Sequence, residues 1–395
     1  MKASYPQRTG NIPLRAGVVL VLMGLGLGVA GCASEEPTPG DKEREPLDPH
    51  FSDGTECSGH GHTHGPTCHC DSGYVREPAA PLRCVPTDWD PCSEALAGNF
   101  DYLAITTSGA LGEGTLAAID ESASTAINYD AAGSSVILNV LGTEVARFSH
   151  PEPVAEGASA VLHAIGPLRE GVGALRASAE AAAATSAFVA AGSAYDTLDL
   201  YELAELDTED FERTEQALVA LSRTGTRLGY LWDATQETFR SFRVDNEAQL
   251  EAVEVENAVS VRAIDMNNAH AVVGYALTPD GQEVGFVTAA GGPSVIHAAD
   301  DAAATRLVAI NNGDFVAGHV DRDGASAAFV SRSTADSERV AVRPPGALST
   351  ELVGLTDRCT VAGIYLDAAG ARRAFFALPR GPSSIEEQDS RRISE

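Results

Sequence analysis

The chain has 395 residues, with 27 Lys and Arg against 56 Asp and Glu, for a formal net charge of −29. A polyanion without a basic patch is repelled by nucleic acid, so no nucleic-acid partner is expected. Lysine occurs only at Lys2 and Lys42, which removes P-loop and Schiff-base chemistry from the folded part, and no G-x-S-x-G elbow or H-E-x-x-H helix is present.

The N-terminus carries Lys2, Arg8 and Arg15 with no acidic residue, followed by the apolar run "AGVVLVLMGLGLGVA" from Ala16 to Ala30. Fifteen apolar residues are too few to span a bilayer comfortably and suit a signal-peptide core. The run ends in "VAGC", which resembles the bacterial lipobox. That resemblance implies a signal peptide over 1–31 and a Cys32 that is diacylated and becomes the first mature residue. A lipid-held cell-envelope protein follows, with the membrane as its first partner. In that family Asp after the cysteine retains the protein at the inner membrane; Ala33 stands here, which favours the outer membrane, on its periplasmic or surface face. "GLGVAG" (26–31) matches a dinucleotide fingerprint, but no strand precedes it and cleavage removes it.

Losing the leader takes three positive charges, so the mature chain carries −32. Residues 32–56 are rich in Pro, Glu and Asp and nearly devoid of large apolar side chains. Such a stretch cannot offset its ordering entropy and is expected to be a flexible tether. As a random coil it holds the next domain roughly 25–30 Å from the lipid.

Six cysteines then remain, Cys57, Cys68, Cys70, Cys84, Cys92 and Cys359, an even number that in an exported chain reads as three disulfides. "CHCDSGY" (68–74) followed by Cys84 resembles the end of an EGF-like module, and "CSGHG" (57–61) resembles its earlier segment. The resemblance covers 57–86 and lacks two cysteines that pair with each other in that family. It implies Cys57–Cys68 and Cys70–Cys84. About thirty residues cannot build a sufficient core, and two bridges are the usual remedy. The same stretch interleaves His60, His62, His64 and His69, a donor set for zinc or copper and the basis of an alternative reading as a His-rich metal module. Bridged cysteines leave the imidazoles alone on a loop, so no cofactor and no stoichiometric zinc are expected.

From residue 97 the chain is rich in Ala and Val, in short runs separated by Gly, Asp and Pro, a pattern of many short strands. "VRAIDMNNAHAVVGYALTPDGQEVGFVTAA" (261–290), "LVAINNGDFVAGHVDRDGASAAFVSRS" (307–333) and "LVGLTDRCTVAGIYLDAAGARRAFFALP" (352–379) align with one another. With the glycine of the second strand as marker, fainter copies precede them, and the markers fall at 127, 173, 229, 274, 318 and 363. An apolar residue stands eight positions before each: Ile119, Ile165, Leu221, Met266, Ile310 and Leu355. Small residues at the marker suit an inner strand crowded toward an axis. The C-terminal copies resemble the extracellular HAF repeat, which implies a fold and little else.

Each unit has the size of one propeller blade, so the expected fold is all-β, a six-bladed β-propeller of about 45 residues per blade over 92–380, with a disordered tail at 381–395. The sixth unit shows only three strands, and "FDYLAITT" (100–107) is the expected fourth. Closing the ring this way brings Cys92 to Cys359 as the third bridge.

No catalytic residue is assigned. His163, His270 and His319 lie in the repeats and could face the channel, but read first as surface or strand-end residues. "DRDG" (321–324) falls at a hairpin position, where Gly324 supplies positive φ. The acidic insertion at 202–215 reads as a solvated helix or loop. A non-enzymatic scaffold that binds a protein or extracellular ligand is expected, with an envelope-directed hydrolase or lyase as the alternative. His and carboxylate groups from several repeats converging in the channel within hydrogen-bonding reach would favour the enzyme; a channel lined by Ala, Ser, Val and Gly would exclude it.

Overall fold

The computed structural model describes residues 56–105, 114–129, 133–151, 158–176, 185–206, 215–299, 302–322 and 325–381. Six four-stranded antiparallel meanders follow one another along the chain, two of them joined by a single parallel pairing of Glu283 with Ala304. Their first strands are Thr115–Ile119, Ser159–Ile165, Gln216–Leu221, Ser260–Met266, Ala304–Ile310 and Ser349–Leu355. The six apolar residues eight positions before the markers are the last residues of these strands, in the faint copies as well as the clear ones. Each first strand packs against the first strand of the next sheet, and that of the sixth against that of the first. The sheets are therefore blades of a closed propeller.

Closure uses the expected strand. Phe100–Ala104 pairs antiparallel with Arg372–Pro379 and completes the sixth blade from the other end of the chain. Cys92, in the short helix Pro91–Leu96 just before it, is bridged to Cys359. Asp90 caps this helix, accepting from the backbone N–H of Cys92, with Pro91 in the first turn.

The markers pair as the repeat requires. Gly173, Gly229, Gly274, Gly318 and Gly363 face Phe188, Phe242, Phe286, Phe329 and Phe375 on the third strand, and Ile127 faces Val136. The reason for glycine differs from the one expected. The markers sit on second strands, away from the axis. Every first strand carries a register shift beside its marker's partner, as between Leu162 and Ala164. This turns a carbonyl toward the glycine: a Cβ on Gly173 would lie 1.9 Å from the Val161 oxygen, and one on Gly274 2.1 Å from the Arg262 oxygen. On Gly363 it would also press on the Phe375 ring at 2.8 Å. Bulge and aromatic together leave no room for a side chain.

A first strand has only one ladder partner within its blade, so its other edge needs acceptors and donors from the preceding blade. Asn128 supplies both to Leu162, Ser241 accepts from the Ala263 N–H and donates to the Val261 carbonyl, and His319 Nε2 accepts from the Leu352 N–H at 2.6 Å. His319 is thus a joint between blades rather than a surface residue.

Residues 57–86 form two small hairpins, Gly61–His64 with Thr67–Cys70 and Tyr74–Glu77 with Ala80–Pro86, held by Cys57–Cys68 and Cys70–Cys84. The module docks on the closing seam. Glu77, 2% exposed, pairs with Arg358 at 3.3 Å, and Arg83 donates to the Pro379 carbonyl at 3.0 Å. Trp89 lies under both guanidiniums, at 5.5 and 5.7 Å. Ala79 joins a core cluster with Ile127 and Phe376, so the module covers the edge where first and sixth blades meet.

Candidate functional site

The first strands surround a central cavity of about 590 Å³. At the shifted position of each strand stand Ala117, His163, Val219, Ile264, Val308 and Val353, all lining the cavity. Five are aliphatic. The sixth corrects the sequence reading, because His163 faces the cavity instead of the surface. Enclosure pushes its imidazole down to about 4, and the positive charges of Arg262 and Arg176 act in the same direction.

Beyond each first strand the chain makes the same turn, with the fourth residue in left-handed conformation: Ala123, Arg169, Gly225, His270, Asp314 and Cys359, at φ between 55° and 87°. The opening residue holds the turn by side-chain hydrogen bonds. Asp120, Asn267 and Asn311 each accept from two turn N–H groups, and Ser222 and Thr356 from one. In the second blade Gly166 has no such side chain, and Glu170 accepts from the Leu168 N–H instead.

The second turn residues link the blades into a belt around the mouth. The N–H of Arg223 donates to Asn268 Oδ1 at 2.9 Å, that of Asn268 to Asn312 Oδ1 at 2.8 Å, that of Asn312 to Asp357 Oδ1 at 2.8 Å, and that of Asp357 to Glu121 Oε2 at 2.7 Å. The belt stops at the second blade, where Pro167 has neither an N–H nor a side-chain acceptor. There Leu168 stands 85% exposed, beside the exposed Arg169.

The charges at the mouth are divided. Asp120, Glu121 and Asp357 belong to the first and sixth blades; Arg169 and Arg223 belong to the second and third. Glu121 keeps access to the mouth, yet the crowding of protein around it pushes its carboxyl up to about 7, against the pull of the Asp357 N–H. Deeper, burial raises Asp265 to about 6, while its two oxygens accept from the N–H groups of Met266 and Ile310. Arg262 lies against the rings of Tyr230 and Phe239 at 4.6 and 4.4 Å and donates to the Tyr230 hydroxyl.

The other sequence candidates are dispersed. His270 is in a turn, its Nε2 against Thr224 Oγ1 at 2.9 Å. On the small module, His62 and His69 sit in a paired hairpin rather than a flexible loop, and His60 in the bend just before it. His64 ends its first strand, its side chain outside the described residues. Gly324 lies outside them too, but its counterparts Gly281 and Gly370 adopt φ of 85° and 79°. The acidic insertion is not wholly solvated: it begins inside the helix Leu200–Leu203, and its Leu203, Ala204 and Leu206 pack against the core cluster that holds Leu200 and Tyr201, while the part at 207–214 lies outside the described residues. Cys32 and the tail from 382 lie outside as well. Sequence reasoning missed the belt and Asp265; the residue after Ile310-Asn311, repeated as Asn268 and Asn312, was the available signal.

Two histidines make an acid limb expected. His163 and His319 are both held down to about 4, against 6.5 when exposed, by burial first. A base whose folded value is lowered contributes stability that is present above 6.5 and lost as pH falls toward 4. His163→Val, the residue type of three other blades, is expected to flatten that loss without changing stability at pH 8. Urea midpoints at pH 5 and pH 8 measure it; equal pH dependence in both proteins would contradict the placement.

No family model matches the chain, and no curated protein matches it in sequence. Among solved structures it is similar to virginiamycin B lyase from Staphylococcus aureus, at 11% identity over 70% of this chain and 88% of that one, with a TM-score of 0.40. It is similar to a gluconolactonase from Xanthomonas campestris, at 10% identity over 75% and 97%, TM-score 0.41. It is also similar to the Aleuria aurantia lectin, at 8% identity over 69% and 96%, TM-score 0.38. Likeness at this level carries no argument about function, and the fold rests on this chain's own strand order and register.

Proposed function

We propose that this chain is a lipid-anchored cell-envelope protein that binds an extracytoplasmic partner at the mouth of its propeller and performs no chemical step there. The observation that carries the reading is the mouth itself: a belt of locked turns, acidic groups on the first and sixth blades with basic groups on the second and third, and a cavity beneath whose shifted strand positions are aliphatic in five blades of six. Binding is favoured over a hydrolase or lyase by the surroundings of His163. Among the described residues its ring has no hydrogen-bond partner, the equivalent positions of the other five first strands are Ala, Val and Ile, and the carboxylates and Tyr230 that share the cavity are hydrogen-bonded to other groups, so none of them orients His163 as a base. The second blade's turn, outside the belt and carrying Leu168 and Arg169, is the surface free to meet a partner.

The anchor is supported by "VAGC" at Cys32, and no helix among the described residues is long and apolar enough to cross a membrane. Cys32→Ser is expected to move the protein from the detergent phase to the aqueous phase; a variant that stays with detergent at full length refutes lipidation. For the mouth, a photo-crosslinking residue at Leu168 is expected to give adducts in intact cells, and one at Asp280, on the turn at the opposite end of the strands, none. Equal labelling from both, or none from Leu168, refutes the assignment.

A further inference from the structure

We infer that the first hairpin of the small module is a copper site, formed by the cross-strand pair His62 and His69. This goes beyond the binding function proposed for the mouth and does not depend on it. In the sequence, cysteines and histidines interleave; in the hairpin they separate. His62 pairs directly with His69 across the strands, while Thr63 pairs with Cys68 and Gly61 with Cys70. Directly opposed residues share a face and neighbours along a strand alternate, so the imidazoles take one face and the sulfurs the other. Cys68 is buried in its bridge; His62 and His69 are exposed.

The spacing fits a shared metal. An imidazole nitrogen binds a first-row divalent ion at about 2.0–2.1 Å, with the ring centre about 1.1 Å further back. Two rings on one ion at 90–109° therefore have centres roughly 4.5–5.2 Å apart. The His62 and His69 centroids lie 5.1 Å apart with planes 35° to each other. His60 lies just before the hairpin, outside the pair, its carbonyl accepting from the Asp71 N–H. Its ring is held by stacking on Tyr74, at 3.9 Å and 11°.

The donor set selects the ion. Cys57, Cys68 and Cys84 place their sulfurs within 4.8 Å of one another, a cluster that would suit zinc if reduced. All three are bridged, so no thiolate is on offer. A site of imidazoles alone on an exposed face follows the general order of affinity, in which Cu²⁺ exceeds Zn²⁺.

Titration of the full mature chain with CuCl₂, followed by calorimetry and electron paramagnetic resonance, tests the assignment. Expected are saturation at one Cu²⁺ per chain, nitrogen hyperfine structure and weaker binding of Zn²⁺. His62→Gln with His69→Gln, checked for intact disulfides, is expected to weaken binding by on the order of tenfold or more. Unchanged affinity in that variant, tighter zinc than copper, or no saturation in the parent chain would each overturn the site.

Discussion

Gly274→Val is expected to cost about 3 kcal/mol or more of folding stability, as overpacking against immovable backbone does. The β-carbon would lie 2.1 Å from the Arg262 carbonyl oxygen and 2.9 Å from the Ala263 Cα, and no rotamer relieves either approach because both are backbone atoms. Relief requires undoing the bulge at Ile264, which would turn that residue away from the cavity and put the first strand out of register with Val272 and Val273. Gly292→Ala is the control: its new carbon would meet the Ala289 side chain at 3.3 Å and the Ala289 carbonyl oxygen at 3.8 Å, and a change within about 0.5 kcal/mol is expected. Urea unfolding of both variants measures the difference. Similar small effects at the two positions would mean that the marker glycines are not set by the bulge.

Removing the Cys92–Cys359 bridge, as Cys92→Ala with Cys359→Ala, has the other large effect. The bridge spans 267 residues of sequence, and freeing so long a loop in the unfolded chain is worth about 5 kcal/mol in the entropic treatment. Both cysteines are buried in the core cluster that also holds Phe100 and Phe375, so the closing strand loses its neighbour as well as its tie. The variant is expected to unfold at markedly lower urea and to expose Phe100–Ala104 to hydrogen exchange before any other strand of the sixth blade. Removing both Cys57–Cys68 and Cys70–Cys84 should instead leave the blades' midpoint nearly unchanged while loosening the module.

The three C-terminal blades were legible because Gly274, Gly318 and Gly363 recur with their phenylalanines. The first three were legible only by spacing: Ile127 replaces the glycine of the first blade, and Val136 takes the aromatic's place. Closure was legible because the sixth unit lacked a strand and an unassigned strand preceded the first. Which side chains face the cavity was not. A bulge shifts the alternation by one, so a period-two reading cannot say that His163 points inward while Leu162 points into the sheet packing. The belt was hidden for a different reason. Glu121, Asn268, Asn312 and Asp357 share an acceptor at one height above a turn, a property of geometry that crosses residue types. The docking of the small module depends on Glu77 meeting Arg358, 281 residues away, which no local pattern reveals.

The central claim is that six repeats close into one ring whose two ends meet in a single blade. Peptide mapping under non-reducing conditions tests it most directly, because the bridge joins the first helix after the module to the last repeat. The account predicts three crosslinked peptides, containing Cys57 with Cys68, Cys70 with Cys84, and Cys92 with Cys359, and no free thiol. Cys92 joined to a cysteine of 57–84, with Cys359 left free, would contradict the closed ring.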